Sequence, residues 1–439
     1  MSPQFAAVHT MADATALAGR ALALATEIFP IGRSITGQGV RETLRCIGNR
    51  VPLEVSEVPS GTPVFDWEVP PEWNVREAYI ADGAGRRLVD FRRHALHLVG
   101  YSIPVRARMT LNELRPHLHT LPQTPDWIPY RTSYYSKAWG FCLAESELAT
   151  WPDGEYEVVI DAELKPGHLT YAECLIRGAV EQEILVYTHT CHPALANDNA
   201  SGMAVATVLA EEALKSRPNL SYRFIFGPGT IGSITWLARN ESRLPAVRGG
   251  LTIGLLGDAG PLTYKRSRRG TTEIDLIAAQ AVRELDPNAK LLDFSPYGYD
   301  ERQFCSPGIN LPMGRLTRSA NGAYPEYHTS ADNLSLLRAN ALAQSILAIA
   351  TTLNRIDGNR LFRNRSPKGE PRLGRRGLFR ATGGTNPGDF EHAMLWLLSL
   401  SDGAHGLRDA QAVSGLDMDV LERAATALIE AGLLEEVAG

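Results

Sequence analysis

Two histidines, a cysteine and a carboxylate crowd one short stretch of this chain: His189-Thr190-Cys191-His192-Pro193, followed by Asn197-Asp198-Asn199-Ala200-Ser201-Gly202. His189 directly follows the apolar run Ile184 to Thr188, which predicts a buried strand, and Asp198 precedes small residues that open a helix. Imidazole and carboxylate converging at a strand end suit Zn²⁺, which favours such N and O ligands. Alone, the two histidines read equally well as a capped strand end, with Asp198 a turn residue. Two later segments add weight. Gly257-Asp258-Ala259-Gly260 puts a second carboxylate after the strand predicted over Leu251 to Leu256, and Tyr327-His328-Thr329-Ser330-Ala331-Asp332 puts an imidazole at the opening of the last long helix. Ligands of open α/β sheets bind at the carboxyl ends of strands, so His189, His192, Asp198, Asp258 and His328 predict a site for one or two zinc ions.

The elements that must position these groups alternate along the chain. Tyr156 to Leu164, His168 to Ile176 and Ile184 to Thr188 read as successive strands of one sheet. Helix Gly202 to Leu214, strand Tyr222 to Phe226 and helix Ser233 to Asn240 follow, and helix Leu334 to Leu353 closes the series. The expected class is α/β: a mixed, largely parallel central sheet flanked by helices, built from residues 1–58 and 147–358. Between them, 59–146 is rich in Pro and Trp, with short alternating runs, and reads as an inserted β-rich domain. A stretch dominated by Arg, Gly and Pro over 359–380 reads as a basic linker. Within 381–439 three short helical segments, Phe390 to Leu400, Gly406 to Ser414 and Met418 to Glu430, have the size and count of a winged helix.

The order of these motifs resembles the co-catalytic zinc aminopeptidases, with Asn-Asp-Asn-Ala-Ser-Gly the specific string. The whole chain is similar to a bacterial aminopeptidase-like branch of that superfamily with an inserted β-rich domain and a C-terminal winged helix. Tyr134-Tyr135 with Trp139 to Cys142, Tyr264 to Gly270 and Tyr297 to Gln303 resemble its signature segments. The resemblance implies that Asp198 bridges two metals, that His189 or His192 completes one site with Asp258, and that His328 belongs to the other. Cys191 stands where the superfamily has an Asp, and reads as a thiolate ligand or as a buried inert thiol. The resemblance also implies glutamates after the strand Tyr222 to Phe226, one of them the general base, but this chain has Gly227-Pro228-Gly229-Thr230 there. Loss of a general base commonly removes a factor of about 10² to 10⁴ in rate. Asp300, Glu301 and Glu326 are the candidate replacements, each also readable as a solvated loop residue or a partner of Arg302. Lys265, Arg266 and Arg269, with Tyr135, Tyr299 and Arg302, are the candidate substrate-binding residues, since guanidinium pairs bidentately with carboxylate or phosphate. The expected activity is hydrolysis of an amide bond in a small peptide or amino-acid conjugate. The competing expectation is a degenerate ligand-binding protein with Gly229 in place of the base.

Composition narrows the partners. The chain has 439 residues and a net charge of −5, but residues 389–439 hold ten acidic side chains against two basic ones, a net of −8. The third helix of the winged-helix segment carries Asp419, Glu422 and Glu430, which phosphates repel, so no nucleic acid is expected. Protein contact or a homo-oligomer through this module is expected instead. The apolar run from Ala12 to Phe29 is broken by Asp13, Arg20 and Glu27, so no membrane partner is expected. Five scattered cysteines fit a reduced, cytoplasmic location.

Overall fold

Strands buried on both faces read as unbroken apolar runs, and Glu183–His189 and Ser221–Gly227 are such strands at the middle of an eight-stranded sheet. The computed structural model describes residues 4–378 and 388–437. Sheet order is Glu54–Pro59, His168–Ile176, Ser221–Gly227, Glu183–His189, Val247–Ile253, Met313–Thr317, Thr263–Lys265 and Lys290–Leu292. The pairings from Ser221–Gly227 across to Met313–Thr317 are parallel, and antiparallel pairings flank them. Side chains alternate between faces. Ile184 and Val186 join a core with Phe224, Leu209 and Ile349, under the helices Met11–Ile28, Gly202–Ala213 and Ala339–Asp357. Leu185 and Tyr187 join a second core with Ile225, Trp236 and Phe304 on the opposite face.

The helix Met11–Ile28 opens on a Thr10–Asp13 capping box and stops before Pro30, which cannot continue it. Among the described residues no helix is long and apolar enough to cross a membrane.

The strand Glu155–Lys165 departs from expectation. It pairs with Glu72–Ala81 and Val105–Thr110 in a separate four-stranded sheet, so it belongs with the inserted module and not the central sheet. Its alternating burial, with Tyr156, Val158 and Ile160 inward, satisfies either sheet, and only pairing decides.

The basic stretch after 358 also does more than link. Leu361–Asn364 is the central strand of a three-stranded sheet with Asp402–Gly406 and Leu434–Glu436, and Arg363 and Arg365 lie beside Glu435. Helices Asp389–Leu400, Leu407–Ser414 and Met418–Glu430 complete a winged helix around Leu397, Leu421 and Leu428. The expected domain boundary between residues 380 and 381 lies outside the described residues. Asn359 ties the module to the body by donating from Nδ2 to Glu273 and, at 2.9 Å, to Asp409. Asp419, Glu422, Arg423 and Glu430 lie on the exposed face of the last helix.

Candidate metal centre

His189 is the last residue of its strand, opposite Gly227 of the neighbour. The chain then turns through Ala196–Ser201 into the helix that begins at Gly202, and every residue of that turn is buried. Gly202 is required there because a Cβ would strike the Asn199 amide. That amide donates to Thr188 Oγ1 at 2.8 Å and to the His189 carbonyl at 3.0 Å, tying the turn to the strand end. Asp332 accepts from the Asn197 and Asp198 amides at 2.6 and 3.0 Å and from the Tyr324 hydroxyl at 3.0 Å.

Asp198 is thereby held among three imidazoles. Its Oδ1 lies 2.7 Å from His189 Nε2, while its Oδ2 lies 3.1 Å from His328 Nε2 and 4.0 Å from His192 Nε2. One ligand atom each from His189, His192 and Asp198 falls within 4.8 Å of the others. His328 approaches from the second oxygen and keeps about a third of its side chain exposed. Burial pushes the His189 and His192 rings below the usual imidazole range, leaving them neutral with a free lone pair. Burial opposes ionisation of Asp198, but His192, His189 and His328 overcome it and hold the carboxyl well below its usual value. Neutral imidazoles around an ionised carboxylate are the state that a zinc ion requires of its ligands.

The other expected site residues divide sharply. Asp258 is buried and bonded outside the group: it accepts from Asn197 Nδ2 at 2.7 Å and Ser319 Oγ at 2.9 Å. It supports the turn carrying Asp198 and contributes no atom to the His189–His192–Asp198 cluster. Glu301 is fully enclosed between Lys265 Nζ at 2.8 Å and Arg315 Nη1 at 3.1 Å. Burial would raise this carboxyl, yet Arg315 and Lys265 hold it down at about 2, which makes it a poor proton acceptor. Asp300 is buried on Ser233 Oγ at 2.7 Å, and burial raises it to about 7. Among the described residues Glu326 makes no side-chain hydrogen bond; its carbonyl accepts from Thr329. The basic run splits: Lys265 points inward, Arg266 bonds the Gly270 carbonyl, and Arg269 lines a cavity against the winged helix. Cys191 Sγ lies 3.2 Å from His192 Nδ1, and burial pushes its thiol up to about 12, so it is a neutral packing group.

Glu301→Gln should therefore act on stability, since it strips two buried cations of their carboxylate. Breaking a buried pair from one side costs about 3 to 5 kcal/mol. A carboxyl held low in the folded chain lends stability that is complete above its ordinary value of about 4.3 and is lost as pH falls towards 2. Urea midpoints should differ widely between native and variant at pH 7, by about half as much at pH 3, and converge only as pH falls below 2. An unchanged midpoint at pH 7 would refute the pairing.

Several groups had escaped the sequence reading. Arg33 is buried and donates twice to the His192 carbonyl, at 2.9 and 3.1 Å. Tyr130, from the insert, lies 5.1 and 5.0 Å from the rings of His192 and His328, and its amide donates to the His328 carbonyl at 2.8 Å. His328 itself adopts φ 57°, a conformation rare for a residue with a Cβ. Tyr299, which the sequence did offer as a substrate-binding residue, sits edge-on to His189 at 4.5 Å, with its hydroxyl 3.3 Å from the Gly229 carbonyl. Beyond it a cavity of about 350 Å³ opens, lined by Trp67, Tyr134, Tyr135, Ile231 and Arg302. Only Arg315, a lone cation in the otherwise uncharged strand Met313–Thr317, carried a legible signal.

Comparison with known proteins gives a consistent picture. The family described as a domain of unknown function (DUF4910) matches residues 22–359, and a winged helix-turn-helix family matches 360–436. A Clostridium acetobutylicum protein, provisionally named for polysaccharide biosynthesis with an aminopeptidase-like domain, is 48% identical over 415 residues, 94% of this chain and 95% of that protein. A crystal structure from Clostridium acetobutylicum, provisionally called a peptidase, superposes with a TM-score of 0.84 at 46% identity, covering 97% of this chain and 98% of the other. A zinc aminopeptidase from Bacillus subtilis shares the fold at TM-score 0.57 and 13% identity, covering 77% of this chain and 94% of its own.

Proposed function

The chain belongs to the family described as a domain of unknown function (DUF4910), and from its zinc-aminopeptidase fold we propose that it is a zinc-dependent hydrolase of an amide bond in a small peptide or amino-acid conjugate. The observation that carries this reading is the cluster of His189, His192 and Asp198 at a strand end, with His328 on the second carboxylate oxygen. These residues would hold the ion. Bound there, zinc supplies a Lewis acid for the scissile carbonyl and lowers the pKa of water towards neutrality.

The chain's own groups support the rest of the chemistry. Asp332 and Asn199 fix the turn that presents Asp198, and Arg33 fixes the backbone of His192. Tyr130 and Tyr299 wall the cluster with rings, which excludes water and strengthens electrostatic interactions inside. Burial keeps the Tyr299 phenol well above its ordinary value, so it serves as a neutral hydrogen-bond donor. The relative's link to polysaccharide biosynthesis supports a conjugate in which one amide partner is a sugar. The exposed pair Trp67 and Tyr135, with centroids 5.4 Å apart at the 350 Å³ cavity, supports recognition of a flat or ring-shaped group. The acidic face of the last winged-helix helix supports contact with protein and not with phosphate backbones.

A second reading, a ligand-binding protein without turnover, is favoured by one observation: Tyr299 fills the space beside Gly229. The two part on a screen of aminoacyl and N-acyl amides, sugar conjugates included, with zinc, manganese or cobalt. Hydrolysis that falls at least about 100-fold in His328→Ala supports the enzyme. Metal below half an equivalent per chain, or turnover indifferent to His328, defeats it.

A further inference from the structure

A second cavity, of about 300 Å³, lies beside the metal group and is lined by Lys265, Arg315, Glu301, Thr317 and Asn321, with Asp293 at its edge. Two chains of contact join it to the histidines. The Arg315 guanidinium lies 6.0 Å over the Tyr299 ring, which packs on His189. Asn321 Nδ2 donates at 3.3 Å to the Tyr327 hydroxyl, and the Tyr327 ring stacks on His328 at 3.9 Å.

The charges in this cavity do not balance. Lys265 and Arg315, with 9% and 7% of their side chains exposed, share the single carboxylate of Glu301. Asp293 does not compensate them: its side chain is fully in solvent and its nearest cation is Arg266, at 3.7 Å. A guanidinium has five N–H donors, yet among the described residues Arg315 makes one hydrogen bond, and its Nη2 is buried there without an acceptor. Arg223, equally buried, shows what a purely structural arginine looks like in this fold. It makes three hydrogen bonds to two carboxylates, those of Glu183 and Glu173. Asp198 and Asp300 also act on Arg315, but from a distance and without a hydrogen bond, so within the cavity lining two buried cations share one bonded carboxylate and a donor is left over for a ligand.

Resting on the hydrolase reading above, we propose that this cavity is a carboxylate-binding subsite, and that the substrate is an amide that also carries a free carboxylate. Arg315 supplies a planar fork that a carboxylate matches, and Thr317 and Asn321 add neutral polar groups. A monoanion brings Lys265, Arg315 and Glu301 to neutrality, which selects a carboxylate over a phosphate dianion. The expected run Lys265, Arg266 and Arg269 thus contributes only Lys265 to anion binding, and its partner comes from the strand Met313–Thr317.

The test is calorimetric titration of the metal-loaded full chain with N-acetylglycine, N-acetylglycinamide and inorganic phosphate. The acid should bind at least about 10-fold more tightly than the amide. Arg315→Gln should lose that preference at unchanged zinc content, and Arg315→Lys should recover part of it. Equal binding of acid and amide by the native protein overturns the subsite without recourse to any variant, as does phosphate binding more tightly than the acid. Acid selectivity that survives in a folded Arg315→Gln also overturns it, because the metal alone would then explain the preference. Arg315-dependent binding with no amide hydrolysed upholds the subsite while defeating the hydrolase. Hydrolysis indifferent to a substrate carboxylate does the reverse.

Discussion

Asp198→Asn should fold and yet hold less than about a tenth of the zinc bound by the native chain. The substitution preserves shape and removes the one negative charge in the ligand cluster. Asp198 alone faces three imidazoles, at 2.7, 3.1 and 4.0 Å, so no neighbouring carboxylate takes over: Asp258 is committed to Asn197 and Ser319, and Asp332 to the Asn197 and Asp198 amides. Outer partners of a metal site typically cost 10 to 100-fold in affinity when removed, so loss of the central ligand should exceed about 100-fold. Because His189 and His192 are held neutral by burial, the native protein should also retain zinc somewhat below the pH at which ordinary imidazoles protonate. Metal analysis after dialysis, across pH 5 to 8, checks both. Half an equivalent or more in Asp198→Asn would place the ion elsewhere.

The convergence of His189, His192 and Asp198 was legible in the sequence because its determinants are local. His189 ends an apolar strand, Asp198 sits nine residues on in a turn closed by small residues, and His328 lies in a turn ahead of the helix Ala339–Asp357, not at its opening as the sequence suggested. What was illegible depends on which way a side chain leaves the backbone, or on partners far along the chain. Asp258 has the right position after its strand, but its carboxylate is taken by Asn197 and Ser319, partners about 60 residues away in either direction. Glu301 is an acid in a loop until Lys265 and Arg315, 36 and 14 residues away, enclose it. The strand Glu155–Lys165 alternates as any half-buried strand does, and nothing local says which sheet it joins. Leu361–Asn364 is masked by flanking arginines whose charges are met by Glu435, some 70 residues later. The three helices of the winged helix, by contrast, follow from periodicity and turn residues and lie close to where they were expected.

Gly229→Glu tests the other half of the site, because it restores the residue type that the resemblance implies at the missing general base. It should not restore catalysis. A Cβ at position 229 would run into the Tyr299 ring, 2.6 Å from Cζ and 2.8 Å from the hydroxyl. Tyr299 cannot swing aside cheaply: its amide bonds Glu301, its hydroxyl meets the Gly229 carbonyl and lies 3.4 Å from Cys191 Sγ, and its ring packs on His189. Overpacking costs about 1 to 3 kcal/mol, and a carboxylate buried against a neutral phenol and thiol adds to it. The variant should lose about 3 kcal/mol or more, read as a lower urea midpoint at unchanged slope. Tyr299→Ala in the same chain vacates that space, so the double variant should be more stable than the sum of the single changes predicts, by at least about 1 kcal/mol. A Gly229→Glu protein as stable as the native one would mean that Tyr299 does not occupy the position. If the coupling holds, aromatic packing occupies the place where the resemblance implies a glutamate, and in the proposed amide cleavage the proton would have to reach a group other than residue 229.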